Sequence, residues 1–122
     1  VLAEVVKSVF TIEIIPELAK EAAGRLKSLG YENVTVRHGD GFEGWQENAP
    51  FDAVIVTAAA PLVPEPLIDQ LAEGGRLIMP LGNRRSLQNL ILVSKNNGKT
   101  AMKSITEVIF VPMTGKVEEE ER

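Results

Sequence analysis

A chain of 122 residues is sized for one domain, and its 44% apolar and 25% charged residues are those of an ordinary globular protein. The net charge of −4 offers no basic face to nucleic acid, and the lack of cysteine excludes disulfides and thiolate metal sites while agreeing with a reducing cytoplasm. No apolar run approaches the roughly 20 residues that span a bilayer, and no charged-then-apolar signal segment opens the chain.

Leu2, Val5, Val6 and Val9 follow helical spacing without a cap or lead-in, so residues 1–7 read as the end of a helix in a chain cut from something longer. Residues 8–14 are nearly all apolar and β-branched, the pattern of a buried strand. Pro16 suits a first helical position. Leu18, Ala22, Leu26 and Leu29 form a stripe, Glu21 and Arg25 can pair, and Gly30 suits a C-terminal cap, which predicts a helix over 16–29. Residues 33–37 alternate as a strand near a sheet edge, and 41–48 form a loop or short helix carrying Phe42 and Trp45. Residues 51–57 are apolar on both faces and read as a central strand ending at Thr57. The small turn Ala58-Ala59-Ala60-Pro61 follows, then a helix over 64–73 with Leu67, Ile68 and Leu71 inward, stopped by Gly74-Gly75. Residues 76–81 are a buried strand in which Pro80 demands a bulge or an unpaired N–H position. Segments 87–95 and 102–113 are strands joined by the hairpin signal Asn96-Asn97-Gly98-Lys99, and the acidic tail 118–122 reads as a solvated end. The order α-β-α-β-β-α-β-β-β implies a wound parallel sheet whose closing hairpin makes the last strand antiparallel.

The chemistry concentrates where strands stop. Glu13 closes Val9-Phe10-Thr11-Ile12, and the run Val34-Thr35-Val36-Arg37-His38 ends in Gly39-Asp40-Gly41. Ligands of open α/β sheets bind at the carboxyl ends of strands. One carboxylate can accept from a ribose diol and another from an exocyclic amine, and glycine lets backbone amides approach a flat ring. The pair therefore suits a nucleoside; the other reading is a tight turn beside a solvated strand end. His38, the only histidine, has no second ligand for a metal and reads as structural or solvated. Phe42 and Trp45 can stack on a base or close the core beneath their loop. Arg84-Arg85 can bind an acidic substrate or simply be wet, and Asp52 reads as a cap or turn residue.

The four segments Arg37-His38-Gly39-Asp40-Gly41, Pro50-Phe51-Asp52-Ala53-Val54-Ile55-Val56-Thr57-Ala58-Ala59-Ala60-Pro61, Gly74-Gly75-Arg76-Leu77-Ile78-Met79-Pro80-Leu81-Gly82 and Phe110-Val111-Pro112-Met113-Thr114 stand in an order and spacing that resembles the protein-L-isoaspartate O-methyltransferase family, with the resemblance covering essentially the whole chain. It implies a single α/β domain: a three-layer, Rossmann-like class I methyltransferase sheet, mostly parallel with a C-terminal antiparallel hairpin. The family's first strand, its glycine-rich loop and a catalytic-segment serine would lie upstream of this chain, so no catalytic residue falls within it. The resemblance implies S-adenosylmethionine as methyl donor, with Glu13 on the ribose hydroxyls, Asp40 on the adenine amine, Gly41 offering its amide, Phe42 against the adenine, and Thr57, Ala58 and Thr114 bordering the cofactor. Ala59, Ala60 and Pro61 would shape an isoaspartyl pocket, and no metal is implied. It further implies cytoplasmic repair of isoaspartyl-containing proteins, no nucleic-acid or membrane partner, and a monomer, with self-association open to a chain lacking the first strand. Two other readings stand beside it: an inactive remnant keeping only the scaffold or an adenosine half-site, and an unrelated nucleotide-binding α/β module, which the closing hairpin opposes. Missing that strand, 8–14 and 51–57 are expected to close on each other or to take up a second chain.

Overall fold

In the computed structural model, which describes residues 1–83 and 86–120, the chain divides into two units, Val1–Gly41 and Phe42–Arg122. In the first, α1 (Leu2–Val5) is one turn. Asn33 Nδ2 donates to the carbonyls of Ala3 at 2.8 Å and Val6 at 3.3 Å, tying that turn down. β1 (Val9–Glu13) lies parallel to β2 (Val34–His38), from Val9 opposite Val34 to Glu13 opposite His38. The helix α2 (Pro16–Ser28) makes the crossover that a parallel pair requires.

Pro16 starts α2 where its missing N–H has no intrahelical partner anyway. The end is a Schellman cap. Gly30, at φ +83°, donates to Lys27 O, and Tyr31 donates to Leu26 O, both at 3.0 Å. The inward face is Ala19, Ala22 and Leu26, whereas Leu18 and Leu29, expected in the stripe, are exposed. Leu18 lies about 100° round the helix from Ala19, and Leu29 follows the last residue of α2 as its cap. Glu21 and Arg25 pair at 3.2 Å in solvent, worth a few tenths of a kcal/mol.

In the second unit, 3₁₀ turns at Gly41–Glu43 and Gln46–Asn48 lead to β3 (Phe51–Ile55). After α3 (Glu65–Asp69), the strands β4 (Leu71–Leu81), β5 (Gln88–Asn96) and β6 (Lys99–Val108) complete a sheet ordered β3-β4-β5-β6. β3 and β4 are parallel, β5 is antiparallel to both its neighbours, and β6 therefore runs the same way as β4. The strand that opposes the others is thus β5, not the last one. α4 (Val117–Glu120) follows, and the rest of the acidic tail, residues 121–122, lies outside the described residues.

Four other expectations change or resolve here. The helix after Pro64 stops at Asp69, and Gly74-Gly75 lie inside β4 rather than ending the helix. The register jumps between Phe51 opposite Leu71 and Ala53 opposite Arg76, so 72–75 form a bulge, with Gly74 at φ +76°. Pro80 sits in register opposite Leu90 without a bulge in β4, and its carbonyl accepts the Ala60 N–H at 3.3 Å. β3, read as central, is paired on one side only among the described residues, with Asp52, Ala53 and Ile55 exposed. β6 ends at Val108, short of the expected Met113, although Pro112 makes an isolated bridge to Ala59.

The hairpin stands as expected: Asn97 at φ +55° and Gly98 at φ +71° make the two-residue turn. Leu77, Met79, Ile91 and Val93 alternate inward on β4 and β5 against Leu67, Leu71, Met113 and Val117. Burying each such side chain contributes about 1.5–3 kcal/mol, and this cluster holds the second unit together.

Candidate functional site

Parallel pairing places the ends of β1 and β2 side by side, so Glu13 stands level with His38 and Asp40 follows two residues later. The ladder runs one step further, with Gly39 N–H donating to Glu13 O at 3.0 Å. Glu13 Oε1 accepts the Ile15 N–H at 3.1 Å, which aims its carboxylate across the strand end. Its other oxygen has no protein partner among the described residues. Asp40 is half-buried. A Cβ built on Gly41 would meet nothing within 4 Å, so space beside that backbone is open. Two carboxylates and an uncrowded amide thus occupy the carboxyl edge of this small sheet. His38 is exposed, its Nε2 3.2 Å from the Ile14 carbonyl oxygen, a structural contact.

The other predicted residues belong to the second unit. Val56 N–H extends the β3–β4 ladder to Ile78 O at 3.0 Å, and exposed Thr57 and half-buried Ala58 follow. Ala59 and Ala60 are buried. Ala59 N–H donates to Val111 O at 2.8 Å, and Met113 N–H donates to Ala59 O at 2.7 Å. Gly82 N–H donates to Ala60 O at 2.8 Å. Short side chains are what let three backbone segments converge there. Half-buried Pro61 leaves this junction, and exposed Thr114 directly follows Met113. Thr57 to Pro61 and Thr114 therefore gather past the carboxyl end of β3. Phe42 is buried in the core cluster, beside a pocket of about 300 Å³ lined also by Leu62, Val63, Glu65, Pro66 and Glu120. Trp45 is half-buried, and Asp52 is exposed. Arg84 and Arg85 lie outside the described residues.

Two residues escaped the sequence reading. Gln70 and Gln88 are the buried polar side chains among the described residues. Gln70 accepts from Trp45 N–H at 2.8 Å and donates to Glu43 O at 2.9 Å. Gln88 accepts from Phe110 N–H at 2.6 Å and donates to Phe110 O at 3.2 Å. A single Gln in an apolar run looks like any surface residue, so composition held no signal for either. Among the described residues no three of His, Asp or Glu converge as a metal site. The clear ionisation shift there belongs to Tyr31, away from these carboxylates: its hydroxyl donates to Glu4 Oε1 at 2.6 Å, and that bond and the Glu4 charge raise its pKa.

A family model described as protein-L-isoaspartate(D-aspartate) O-methyltransferase matches residues 1–118. Over 116 residues the chain is 56% identical to protein-L-isoaspartate O-methyltransferase 2 of Syntrophobacter fumaroxidans, covering 94% of this chain and 47% of that protein. It is equally similar, 56% over 116 residues, to protein-L-isoaspartate O-methyltransferase 1 of Nitrosospira multiformis, covering 94% of this chain and 49% of the relative. The chain spans about half the length of these curated relatives. A solved protein-L-isoaspartate O-methyltransferase superposes with a TM-score of 0.84 at 31% identity, over 90% of this chain and 35% of its own. A Plasmodium falciparum structure, a putative member in complex with S-adenosyl-L-homocysteine, superposes with a TM-score of 0.75 at 28% identity, over 88% of this chain and 52% of its own.

Proposed function

We propose the function that follows from one premise: this chain belongs to the protein-L-isoaspartate(D-aspartate) O-methyltransferase family. The protein methylates the α-carboxylate of L-isoaspartyl residues in damaged proteins, using S-adenosylmethionine, as a repair step in the cytoplasm. The ester then closes to a succinimide that reopens partly to normal aspartate. Among the described residues, no helix is long and apolar enough to cross a membrane.

The residues present fit the adenosine end of the donor. The observation that carries this is the level pairing of Glu13 with His38, which sets two carboxylates at one sheet edge beside the open backbone of Gly41. Glu13 would accept from the ribose diol, Asp40 from the adenine amine, and Gly41 would offer its N–H. In the second unit, taken by itself, the family resemblance assigns Phe42, Thr57, Ala58 and Thr114 to the donor and Ala59, Ala60 and Pro61 to the isoaspartyl residue. When bound, the donor supplies an electrophilic methyl group. The nucleophile is the substrate's own carboxylate, so the protein's part is alignment and exclusion of water.

A second reading is a non-catalytic adenosine half-site, which the carboxylates following β1 and β2 would form by themselves. Charge-assisted hydrogen bonds contribute about 1.5–3 kcal/mol each, against an association cost of at least about 4 kcal/mol. The 122-residue chain is therefore expected to bind S-adenosylmethionine weakly, no better than adenosine, and without turnover. In a version extended upstream by the family's glycine-rich strand and turn, Glu13→Ala and Asp40→Ala should each lower affinity and methyl transfer together. Calorimetry with both ligands, beside a methyl-transfer assay on an isoaspartyl peptide, tests this. An extended protein that methylates the peptide unchanged after both substitutions would refute the site, and one that never methylates it would leave the half-site reading.

A further inference from the structure

We infer that Gln70 and Gln88 are positioning residues, each setting one wall of the proposed site: Gln70 the nucleoside wall at Phe42, Gln88 the peptide wall at Ala59–Pro61. The inference rests on the methyltransferase reading.

A primary carboxamide is the side chain that offers one acceptor and two donors side by side. It can therefore satisfy a backbone N–H and a backbone C=O at once, as a neighbouring strand would. Both buried glutamines do this. Gln70 grips Trp45 N–H and Glu43 O, the groups on either side of Gly44. A Cβ added at Gly44 would lie 2.8 Å from Gln70 Cδ, so glycine is what permits the approach. The same residue's carbonyl accepts Phe51 N–H at 2.8 Å. Gln70 thus fixes the turn carrying Phe42 to the start of β3 and the end of α3.

Gln88 grips both backbone groups of Phe110. It too is backed by a glycine: a Cβ at Gly82 would come within 3.0 Å of Gln88 Cα and Cγ. Beyond Phe110, the chain makes the two bonds between Ala59 and the 111–113 segment. Ile109 and Val111 are 78% and 69% exposed, so side-chain packing does little to hold the start of this segment. Gln88 supplies that hold, and through it the place of the Ala59–Pro61 turn.

The two clasps act on different segments, so their loss should separate the two ligands. The test is an NMR titration of the 122-residue chain with adenosine, and separately with an isoaspartyl tetrapeptide, in wild type, Gln70→Met, Gln70→Glu, Gln88→Met and Gln88→Glu, with a thermal melt of each. With both bonds of a clasp gone, Gln70→Met should weaken adenosine binding at least about tenfold and leave the peptide within about twofold, and Gln88→Met should do the reverse. The Glu variants keep the acceptor but set a buried carboxyl group against the carbonyl the donor served, so they should show the same split at least as strongly, and whichever variant at a position folds decides the matter there. A purely structural role would lower both affinities together in step with the melting temperature, and that outcome, or no change in either, overturns the inference. Wild type that binds neither ligand overturns this inference, while the methyltransferase reading is decided separately by the extended protein; wild type that binds both while the variants show no split also overturns this inference.

Discussion

Gly44 cannot carry a side chain where it stands. Its φ of +65° disfavours any L-residue, and the Gln70 carboxamide fills the space beside it. Gly44→Ala should therefore destabilise by about 1–3 kcal/mol, from strain plus overpacking. Gly24 is the contrast: it lies in α2 with nothing within 4 Å of an added Cβ, and Gly24→Ala should stabilise by about 0.4–1 kcal/mol. Urea midpoints of the two variants check both signs. Tyr31 offers a second residue-level test, being the only tyrosine. Its hydrogen bond to Glu4, and then the Glu4 charge, hold its proton above the usual phenol range. A pKa raised by folding contributes stability below the unfolded value, about 10, and loses it as pH rises through the folded value. Phenolate absorbance should show titration above the free-tyrosine value in wild type and close to that value in Glu4→Ala, which removes both the acceptor and the charge; identical curves would remove the contact. At this scale the two carboxylates proposed for the nucleoside, Glu13 and Asp40, stood out because a carboxylate ending an apolar run is conspicuous. It hid Gln70 and Gln88, whose importance comes from burial by distant segments.

Elements were legible where local chemistry decides them. Pro16 with Gly30 framed α2, and Asn97-Gly98 set the hairpin, because fixed φ and positive φ are local demands. The α3–β4 junction was not legible. Leu67, Ile68 and Leu71 satisfy a helical period, yet Leu71 already pairs with Phe51 across the sheet, and a bulge absorbs the two glycines that looked like a stop. Tertiary pairing overrode the local signal there. The apolar faces of 51–57 also misled, since β3 is an edge of its sheet. Nor do β1 and β3 close on each other: β1 pairs with β2 and β3 with β4, in separate sheets. The outer edge strand β6 carries Lys99, Lys103 and Glu107, charges that discourage edge pairing, whereas β3 carries only Asp52. Sedimentation velocity should therefore show concentration-dependent association, and Ala53→Lys should suppress it. A strict monomer at all concentrations, in wild type, would mean that the β3 edge is protected without a partner strand.

For the molecule as a whole, the two units are unequally built. Val1–Gly41 contributes Ala19 alone to the buried hydrophobic residues, while the second unit holds the other eleven of the twelve in that set, including the whole Leu77–Met79–Ile91–Val93 cluster. A two-stranded sheet with a thin core is marginal by itself, and local stability follows buried apolar contact. The β1 and β2 amides should exchange hydrogen through openings of lower free energy than those of β4 and β5. The carboxylates proposed to hold the nucleoside, Glu13 and Asp40, lie in this weaker unit, so binding there must also stabilise it. A ligand that binds only the ordered form adds RT ln(1 + [L]/Kd), about 1.4 kcal/mol at roughly ten times Kd. Saturating adenosine should accordingly slow exchange at the β1 and β2 amides by about tenfold at that concentration and leave the Leu77 and Val93 amides almost unchanged. Glu13→Gln should abolish the protection while leaving the exchange rates of the free protein near those of wild type, because its carboxylate makes only the exposed bond to Ile15. Protection confined to the second unit would instead place the nucleoside entirely among the residues that follow Gly41.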